Sequence, residues 1–304
     1  MTLLPHNPNA FARSPLDRAG HHRRDEAWLT AALSAERTRI VPFFQHRPFV
    51  IDDDGAVAVG WLGAHARAAI APGDAPWLFL GLDAEGAAHF AVEAPDDAPL
   101  KDIGRFDDLR ALGPRLSREE LATIGPAKAV FEWHAKNGFC ANCGAASVVS
   151  EAGWKRECPA CKAEHFPRVD PVCIMLPVIG DKCFLARQRM WPKGMHSALA
   201  GFIEPGEAIE EAVARETLEE AGLKVREVTM HSTQPWPIPH SQLMIGVLCT
   251  VEDDKETVDT SELESGRWFT REEAKLLIAG KHPECWAPPP FAIAHQLLKT
   301  WSEG

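Results

Sequence analysis

The rhythm of apolar and polar positions changes twice along the chain. In the first 130 residues short apolar runs alternate with turn signals. Val57-Ala58-Val59-Gly60-Trp61-Leu62 and Trp77-Leu78-Phe79-Leu80-Gly81-Leu82 predict strands. Pro114-Arg115-Leu116 predicts a turn, and Ser117-Arg118-Glu119-Glu120 a helix N-cap with acids in the first turn; this helix continues through Ala127 to Trp133. Residues 136–170 lose this rhythm and carry four of the eight cysteines among Gly, Asn and Pro. From Pro171 the pattern becomes strand, strand, glycine loop, helix, strand. The runs Val172–Val178 and Lys182–Gln188 predict the two strands, Glu207–Ala221 the helix, Leu243–Val251 a buried strand and Phe291–Trp301 a closing amphipathic helix. Pro288-Pro289-Pro290 predicts a rigid connector before that last helix.

Composition narrows the function classes. The chain has 304 residues, room for about two domains at roughly 150 each. Apolar residues make up 45% and charged residues 25%, an ordinary balance for a folded globular protein. The net charge of −11 argues against broad binding to a phosphate backbone, which favours basic faces. It leaves room for one anionic substrate held through divalent metal ions. No apolar run approaches the roughly 18 residues that span a bilayer. The start, MTLLPHNPNAFARS, lacks the basic-then-apolar pattern of an export signal, so a cytoplasmic protein with no membrane attachment is expected. Tyrosine is absent, so any stacking falls to Phe, Trp or His.

Cys140-x-x-Cys143 and Cys158-x-x-Cys161 form two knuckles with 14 residues between them. Such knuckles let four thiolates converge on one Zn²⁺, each knuckle wrapping one side. A disulfide pair is the rival reading, but a cytoplasmic chain keeps its thiols reduced. Four protein ligands leave no open position, so the expected role is structural. Cys173, Cys183, Cys249 and Cys285 are scattered, three of them in apolar strand-like runs where a thiol serves as a small core residue.

The most informative stretch runs from Gly201 to Leu223. Glu216, Glu219 and Glu220 stand at i, i+3 and i+4 and meet on one side of the predicted helix. Clustered carboxylates repel unless a cation sits among them, and their hard oxygens suit Mg²⁺ or Mn²⁺. Arg215 is placed to hold one carboxylate in orientation. A solvated acidic face is the plain alternative. The full pattern is more specific: Gly201, five residues, Glu207, seven residues, Arg215-Glu216, one position usually aliphatic, any residue, Glu219-Glu220, any residue, Gly222, Leu223. It resembles the box of the Nudix hydrolases, with Thr217 at the usually aliphatic position. The resemblance implies an α+β fold in which a mixed sheet is sandwiched by helices. It also implies Glu216, Glu219 and Glu220 as holders of catalytic Mg²⁺ or Mn²⁺, with the backbone carbonyl of Ala200 as a further ligand. Such ions assist cleavage of a P–O bond. Which glutamate is the general base is left open.

Downstream, Ser232-Thr233-Gln234-Pro235-Trp236-Pro237-Ile238-Pro239-His240-Ser241 holds three alternating prolines, which fix φ and predict an extended loop displaying Trp236. The segment resembles the SQPWPFPxS signature of the NADH pyrophosphatase branch, with Thr233 in place of Ser and Ile238 in place of Phe. Three more features resemble that branch: the cysteine knuckles directly before the catalytic region, Phe166-Pro167-Arg168-Val169-Asp170-Pro171, and Pro15-Leu16-Asp17-Arg18. The resemblance implies that Phe202 stacks on a substrate ring and that Phe166 forms part of the nucleotide pocket. Gln234, Pro235, Trp236, Pro237 and Ser241 then line the substrate site. Ala294 contacts substrate through its backbone, and Glu262 adds a metal-binding carboxylate with Glu264 as the competing assignment.

The expected organisation is an N-terminal mixed α/β domain over 1–130, structural or dimerising; a zinc ribbon over 131–168; and a Nudix α/β/α sandwich over 169–304. The expected activity is metal-dependent hydrolysis of NADH or NAD⁺ to the nicotinamide mononucleotide and AMP, by a homodimer. Two rivals remain open. One is cleavage of the same kind of bond in another substrate, such as an NAD-capped RNA 5′ end or ADP-ribose. The other is a module that binds a nucleotide without cleaving it.

Overall fold

Buried aromatic residues on neighbouring strands organise the first sheet. In the computed structural model, which describes residues 7–73 and 75–304, seven strands form it: β1 (Arg39–Phe44), β2 (Arg47–Asp53), β3 (Ala56–Val59), β4 (Leu62–Gly63), β5 (Trp77–Leu82), β6 (Ala88–Glu93) and β7 (Arg105–Phe106). Residues 1–6, on which part of the export-signal reading rests, lie outside the described residues. The order is β3-β2-β1-β6-β5, with β4 on β1 and β7 on β2; β1 and β6 run parallel. Phe43, Phe49, Phe79 and Phe90 are fully buried on it. Helix α1 (Glu26–Ser34) packs Leu29 into the cluster of Ile40, Phe79 and Phe90. Two single-turn helices follow, α2 (Arg67–Ile70) and α3 (Leu109–Leu112).

Helix α4 (Arg118–Lys136) opens on a capping box: the Ser117 hydroxyl accepts from the Glu120 N–H, and the Glu120 carboxylate accepts from the Ser117 N–H at 3.0 Å. The same carboxylate accepts from the Val59 N–H at 2.9 Å, tying the helix start to β3. At its far end α4 meets three short antiparallel strands, β8 (Val148–Ser150), β9 (Lys155–Glu157) and β10 (Glu164–His165). The junction is a buried polar network. The Arg156 guanidinium donates to the Ser147 hydroxyl and carbonyl and to His134 Nδ1, and His134 Nε2 faces the Gly153 carbonyl at 2.8 Å. Burial holds His134 down at about 4, so it is neutral near pH 7 and Nε2 carries the proton toward Gly153. Residues 11–169 together with 236–241 make one compact unit.

The second unit comprises the described residues 7–10, 170–235 and 242–304. Its strands are β11 (Asp170–Ile179), β12 (Lys182–Arg187), β13 (Leu199–Phe202), β14 (Val225–Trp236), β15 (Gln242–Val251) and β16 (Ser265–Thr270); its helices are α5 (Ile209–Ala221), α6 (Arg271–Ile278) and α7 (Ile293–Glu303). The sheet order is β14-β15-β11-β12-β16, with β13 on β11. Strand β11 pairs parallel with β15 and antiparallel with β12 and β13. Its unbroken apolar run is explained by burial on both faces. Cys173 and Met175 join the cluster that holds Ala212 and Val213 of α5, while Ile174 and Leu176 join that of α6 and α7. The result is the α/β/α sandwich. Among the described residues, no helix is long and apolar enough to cross a membrane.

Two elements differ from the sequence reading. The box helix starts at Ile209, not Glu207, because the Glu207 carboxylate turns back to accept the Glu204 N–H at 2.9 Å. Residues up to Trp236 belong to strand β14, not to a loop. Thr217 is fully buried, and its hydroxyl has the thiol of Cys249, a weak partner, as its polar neighbour. Thr217→Val is therefore expected to stabilise the protein by about 1 kcal/mol, since an unsatisfied buried hydroxyl is removed at constant shape. A urea unfolding midpoint that falls in this variant would contradict that account of the core.

Candidate active site

Helix α5 ends where Gly222 adopts φ 68°, a left-handed turn that returns its N–H to the Leu218 carbonyl at 2.9 Å. Between its ends the helix presents one guanidinium among carboxylates. Arg215 donates to both Glu207 oxygens at 2.6 and 2.9 Å, to Glu216 at 2.8 Å, to Glu219 at 3.0 Å and to the Phe202 carbonyl at 3.0 Å. The fork geometry suits two partners at once, which a lysine could not supply. Arg215 also holds Glu207 down at about 2. Gly201 is required by close approach: a Cβ there would overlap the Glu216 carboxylate. The box thus places Glu216 by two devices, a guanidinium on one side and a missing side chain on the other.

Glu220 is treated differently. It is 5% exposed, and its Oε2 has no hydrogen-bond partner among the described residues. Burial pushes its carboxyl up to about 8, with the charges of Glu216, Glu262 and Glu219 adding to the shift and the Ala200 backbone opposing it. Glu262 reaches this neighbourhood through the turn between β15 and β16, where the Thr257 N–H donates to the Ala221 carbonyl and the Asp259 N–H to the Glu220 carbonyl. Glu264 is instead ion-paired with Arg187. A buried, unpartnered carboxylate oxygen beside three other carboxylates fits a divalent cation with hard oxygen preference, as Mg²⁺ or Mn²⁺ has.

The other expected residues of this unit are placed as follows. Ala200 lies on β13, paired with Ile174. Phe202 shows 53% of its surface, its backbone tied to Arg215. Gln234 is fully buried, and its amide serves the fold: it donates to the Ala10 and Phe291 carbonyls and accepts from the Ile293 N–H. The described N-terminal residues hold the same strand, with Asn9 donating to the Ser232 hydroxyl and the Thr233 carbonyl. Pro235 is exposed. Ala294 lies in the first turn of α7, where backbone N–H groups have no intrahelical partner.

In the other unit the four knuckle cysteines converge. All their sulfurs lie within 4.8 Å of one another, with Cys140–Cys161 at 3.6 Å and Cys143–Cys158 at 3.5 Å. Thiolates around one zinc ion at roughly 2.3 Å stand roughly 3.8 Å apart, so the set fits Zn²⁺. Backbone N–H donation from Ala163, followed by the Cys143 thiol, pulls Cys161 down to about 6. Phe166 exposes 62% of its surface. Trp236 meets Phe11 edge-on at 5.8 Å, Pro237 is buried and Ser241 is half-buried. Sequence reasoning assigned no role to Glu207 or Gly201. The signal was present: both are fixed positions of the box spacing, though neither is a metal-binding residue by its pattern.

Three family profiles match the chain. One described as NUDIX domain covers residues 169–287, one as NADH pyrophosphatase zinc ribbon domain 135–166, and one as NADH pyrophosphatase-like rudimentary NUDIX domain 37–133. The NAD-capped RNA hydrolase NUDT12 of Homo sapiens is 41% identical over 242 residues, 74% of this chain and 50% of that protein. The chain therefore spans about half the length of that relative. The mitochondrial NAD(P)H pyrophosphatase NUDT13 of Homo sapiens is 36% identical over 74% of this chain and 67% of that one. The NAD-capped RNA hydrolase NudC of Mycobacterium bovis is 37% identical over 74% of this chain and 75% of that one.

Two outcomes are expected. A carboxyl raised in the folded state adds stability below its ordinary value of 4.5 and loses it as pH rises to about 8. Metal-free protein should lose melting temperature over that window, and Mn²⁺ should raise the melting temperature more at pH 8 than at pH 5.5, because the ion takes the place of the proton. An equal Mn²⁺ effect at both pH values would remove Glu220 from the cation site. Separately, elemental analysis should find one zinc per chain, and Cys158→Ser should lose it together with the slow amide exchange of β8 and β9. Full zinc content in that variant would refute the four-thiolate assignment.

Proposed function

The chain belongs to the Nudix hydrolase family, in its zinc-ribbon NADH pyrophosphatase branch, and on that premise we propose that it hydrolyses the pyrophosphate bond of NADH or NAD⁺. Water adds across the P–O–P link, and the products are AMP and the (reduced) nicotinamide mononucleotide. The observation that carries this reading is the buried Glu220 carboxylate, whose Oε2 has no hydrogen-bond partner among the described residues and which lies amid the charges of Glu216, Glu219 and Glu262.

In this proposal Glu216, Glu219, Glu220 and Glu262, with the Ala200 carbonyl, hold Mg²⁺ or Mn²⁺. Bound there, a divalent ion would supply positive charge to the pyrophosphate and acidify a bound water. Arg215 keeps Glu216 and Glu219 oriented, and Glu207 keeps Arg215 in place. The exposed ring of Phe202 is available to stack on a substrate ring. Gln234 fixes the entry to α7 and so the first-turn N–H of Ala294, proposed to meet the substrate. Phe166 and the segment through Pro235, Trp236, Pro237 and Ser241 are assigned to nucleotide recognition. The zinc ribbon is structural.

Two relatives bear names for removal of an NAD cap from RNA, which supports a second reading: the same bond cleaved in a larger substrate. A homodimer in the cytoplasm is the proposed state. Exposed Phe139, Val148 and Phe166 offer apolar surface for association, and zinc-bound thiolates suit a reducing compartment.

The test is product analysis with NADH, NAD⁺, ADP-ribose and an NAD-capped RNA, each with and without Mg²⁺ or Mn²⁺. AMP and reduced mononucleotide are expected from NADH, and only with metal. Glu220→Gln keeps the shape and should lower turnover on the order of a thousand-fold while the fold persists. Near-normal turnover in this variant would sink the assignment.

A further inference from the structure

One face of α4 carries contacts that no part of the proposed chemistry uses. Gly125, Lys128 and Glu132 stand at i, i+3 and i+7 and therefore share that face. Each meets the segment after β14. A Cβ at Gly125 would stand 3.5 Å from the Pro237 ring and 3.0 Å from the Phe11 ring, the same Phe11 that meets Trp236 edge-on. Lys128 Nζ donates to the Pro239 carbonyl and to Glu132 at 2.6 Å. Glu132 faces His240 Nδ1 at 2.8 Å and accepts from Lys136 at 2.5 Å. The side chains of Lys128 and Glu132 are each 14% exposed, so this pair is screened less than a surface one, while Lys136 and His240 on its rim are open to solvent. All of these residues lie in one compact unit.

We propose that Lys128 and Glu132 are positioning residues: they hold the backbone of 237–240 in a fixed course and so set the affinity of the enzyme for its nucleotide. This deepens the pyrophosphatase reading and rests on it. The geometry is specific to the segment. Lys128 binds a main-chain carbonyl, which is present whatever side chain stands there, and it does so beside a proline that has no N–H to offer in exchange. Glu132 is held from both sides, by Lys128 and Lys136 of its own helix and by His240 of the segment. Gly125 leaves room for Phe11 and Pro237 to approach the helix, and Phe11 in turn meets the ring of Trp236. Neither Lys128 nor Glu132 is assigned a contact with substrate, so neither is a catalytic residue. Their effect should fall on binding and leave the metal-dependent step alone.

The experiment uses the full zinc-loaded chain with NADH and Mn²⁺. For Lys128→Met, KM is expected to rise about ten-fold, the scale of one lost charge-assisted hydrogen bond, with kcat within about two-fold of wild type. Lys128→Arg should recover most of the loss, and Glu132→Gln should move KM in the same direction. Amide hydrogens of His240 and Ser241 should exchange faster in Lys128→Met, with zinc content unchanged. If Lys128→Met loses zinc or fails to fold, Lys128→Gln, which keeps a polar chain but removes the charge, is read in the same way. An unchanged KM in an active, folded variant overturns the proposal, as does a loss confined to kcat. Absence of NADH turnover by the wild type overturns the pyrophosphatase reading itself, which the variants alone could not do.

Discussion

Like charge crowded into a partly buried place is the constraint on which the Nudix half depends. Glu216, Glu219, Glu220 and Glu262 press on one another, and Arg215 answers for two of them while spending its other donors on Glu207 and the Phe202 carbonyl. Glu220 is left over. Water cannot solvate it, and its Oε2 finds no donor. A protein does not keep such a group for stability, because a buried carboxylate oxygen without a partner costs free energy. The surrounding features make sense as means to that crowding. Gly201 gives up its side chain to admit Glu216, Glu207 leaves the helix to clamp Arg215, and the turn at Asp259 docks on the end of α5 and carries Glu262 in.

The same chain solves a second charge problem with different donors. Its eight cysteines divide by surroundings. Burial pushes the thiols of Cys173 and Cys249 up to about 11 and 12 and raises Cys183 further, which keeps them neutral, inert core residues. In the ribbon, backbone N–H groups point at sulfur: Asn142 donates to Cys140 and Cys161 to Cys158. The Cys161 N–H is the largest influence on Cys158 and favours there the thiolate form that zinc needs. Soft sulfur in one unit and hard oxygen in the other keep the two metals apart by chemistry as well as by place.

The glutamate helix and the cysteine knuckles were legible because their chemistry is local. Spacing within one helix or one knuckle decides which side chains meet, and the burial of β11 on both faces follows from its unbroken apolar run. What was not legible depends on partners far along the chain. Glu262 and Glu264 are two acids two residues apart, alike to any pattern. Arg187, far upstream on β12, takes Glu264, while the charge of Glu262 adds to the lift on Glu220. Gln234 was expected to line the substrate site, in a segment that reads as a proline-rich loop. Its burial follows from strand pairing and from the carbonyls of Ala10 and Phe291, which no local spacing announces. The helix start was misplaced by two residues because Glu207 serves Arg215 before it serves the helix.

Two glutamates show why residue type and helical spacing are not enough. Glu132 and Glu220 both lie on helices, and both lose water by burial, which alone would push each carboxyl up. Around Glu132 stand Lys128, Lys136 and His240, which outweigh burial and hold it down at about 2. Around Glu220 stand three more carboxylates, which add to burial and lift it to about 8. From sequence, Lys128–Glu132 is an ordinary i, i+4 pair on a helix face, worth a few tenths of a kcal/mol in solvent. What changes its meaning is the Pro239 carbonyl, a backbone atom more than a hundred residues away that has no side-chain signature at all. A carboxylate whose neighbours satisfy it holds structure in place. One whose neighbours repel it waits for a cation, and this chain uses the same side chain for both.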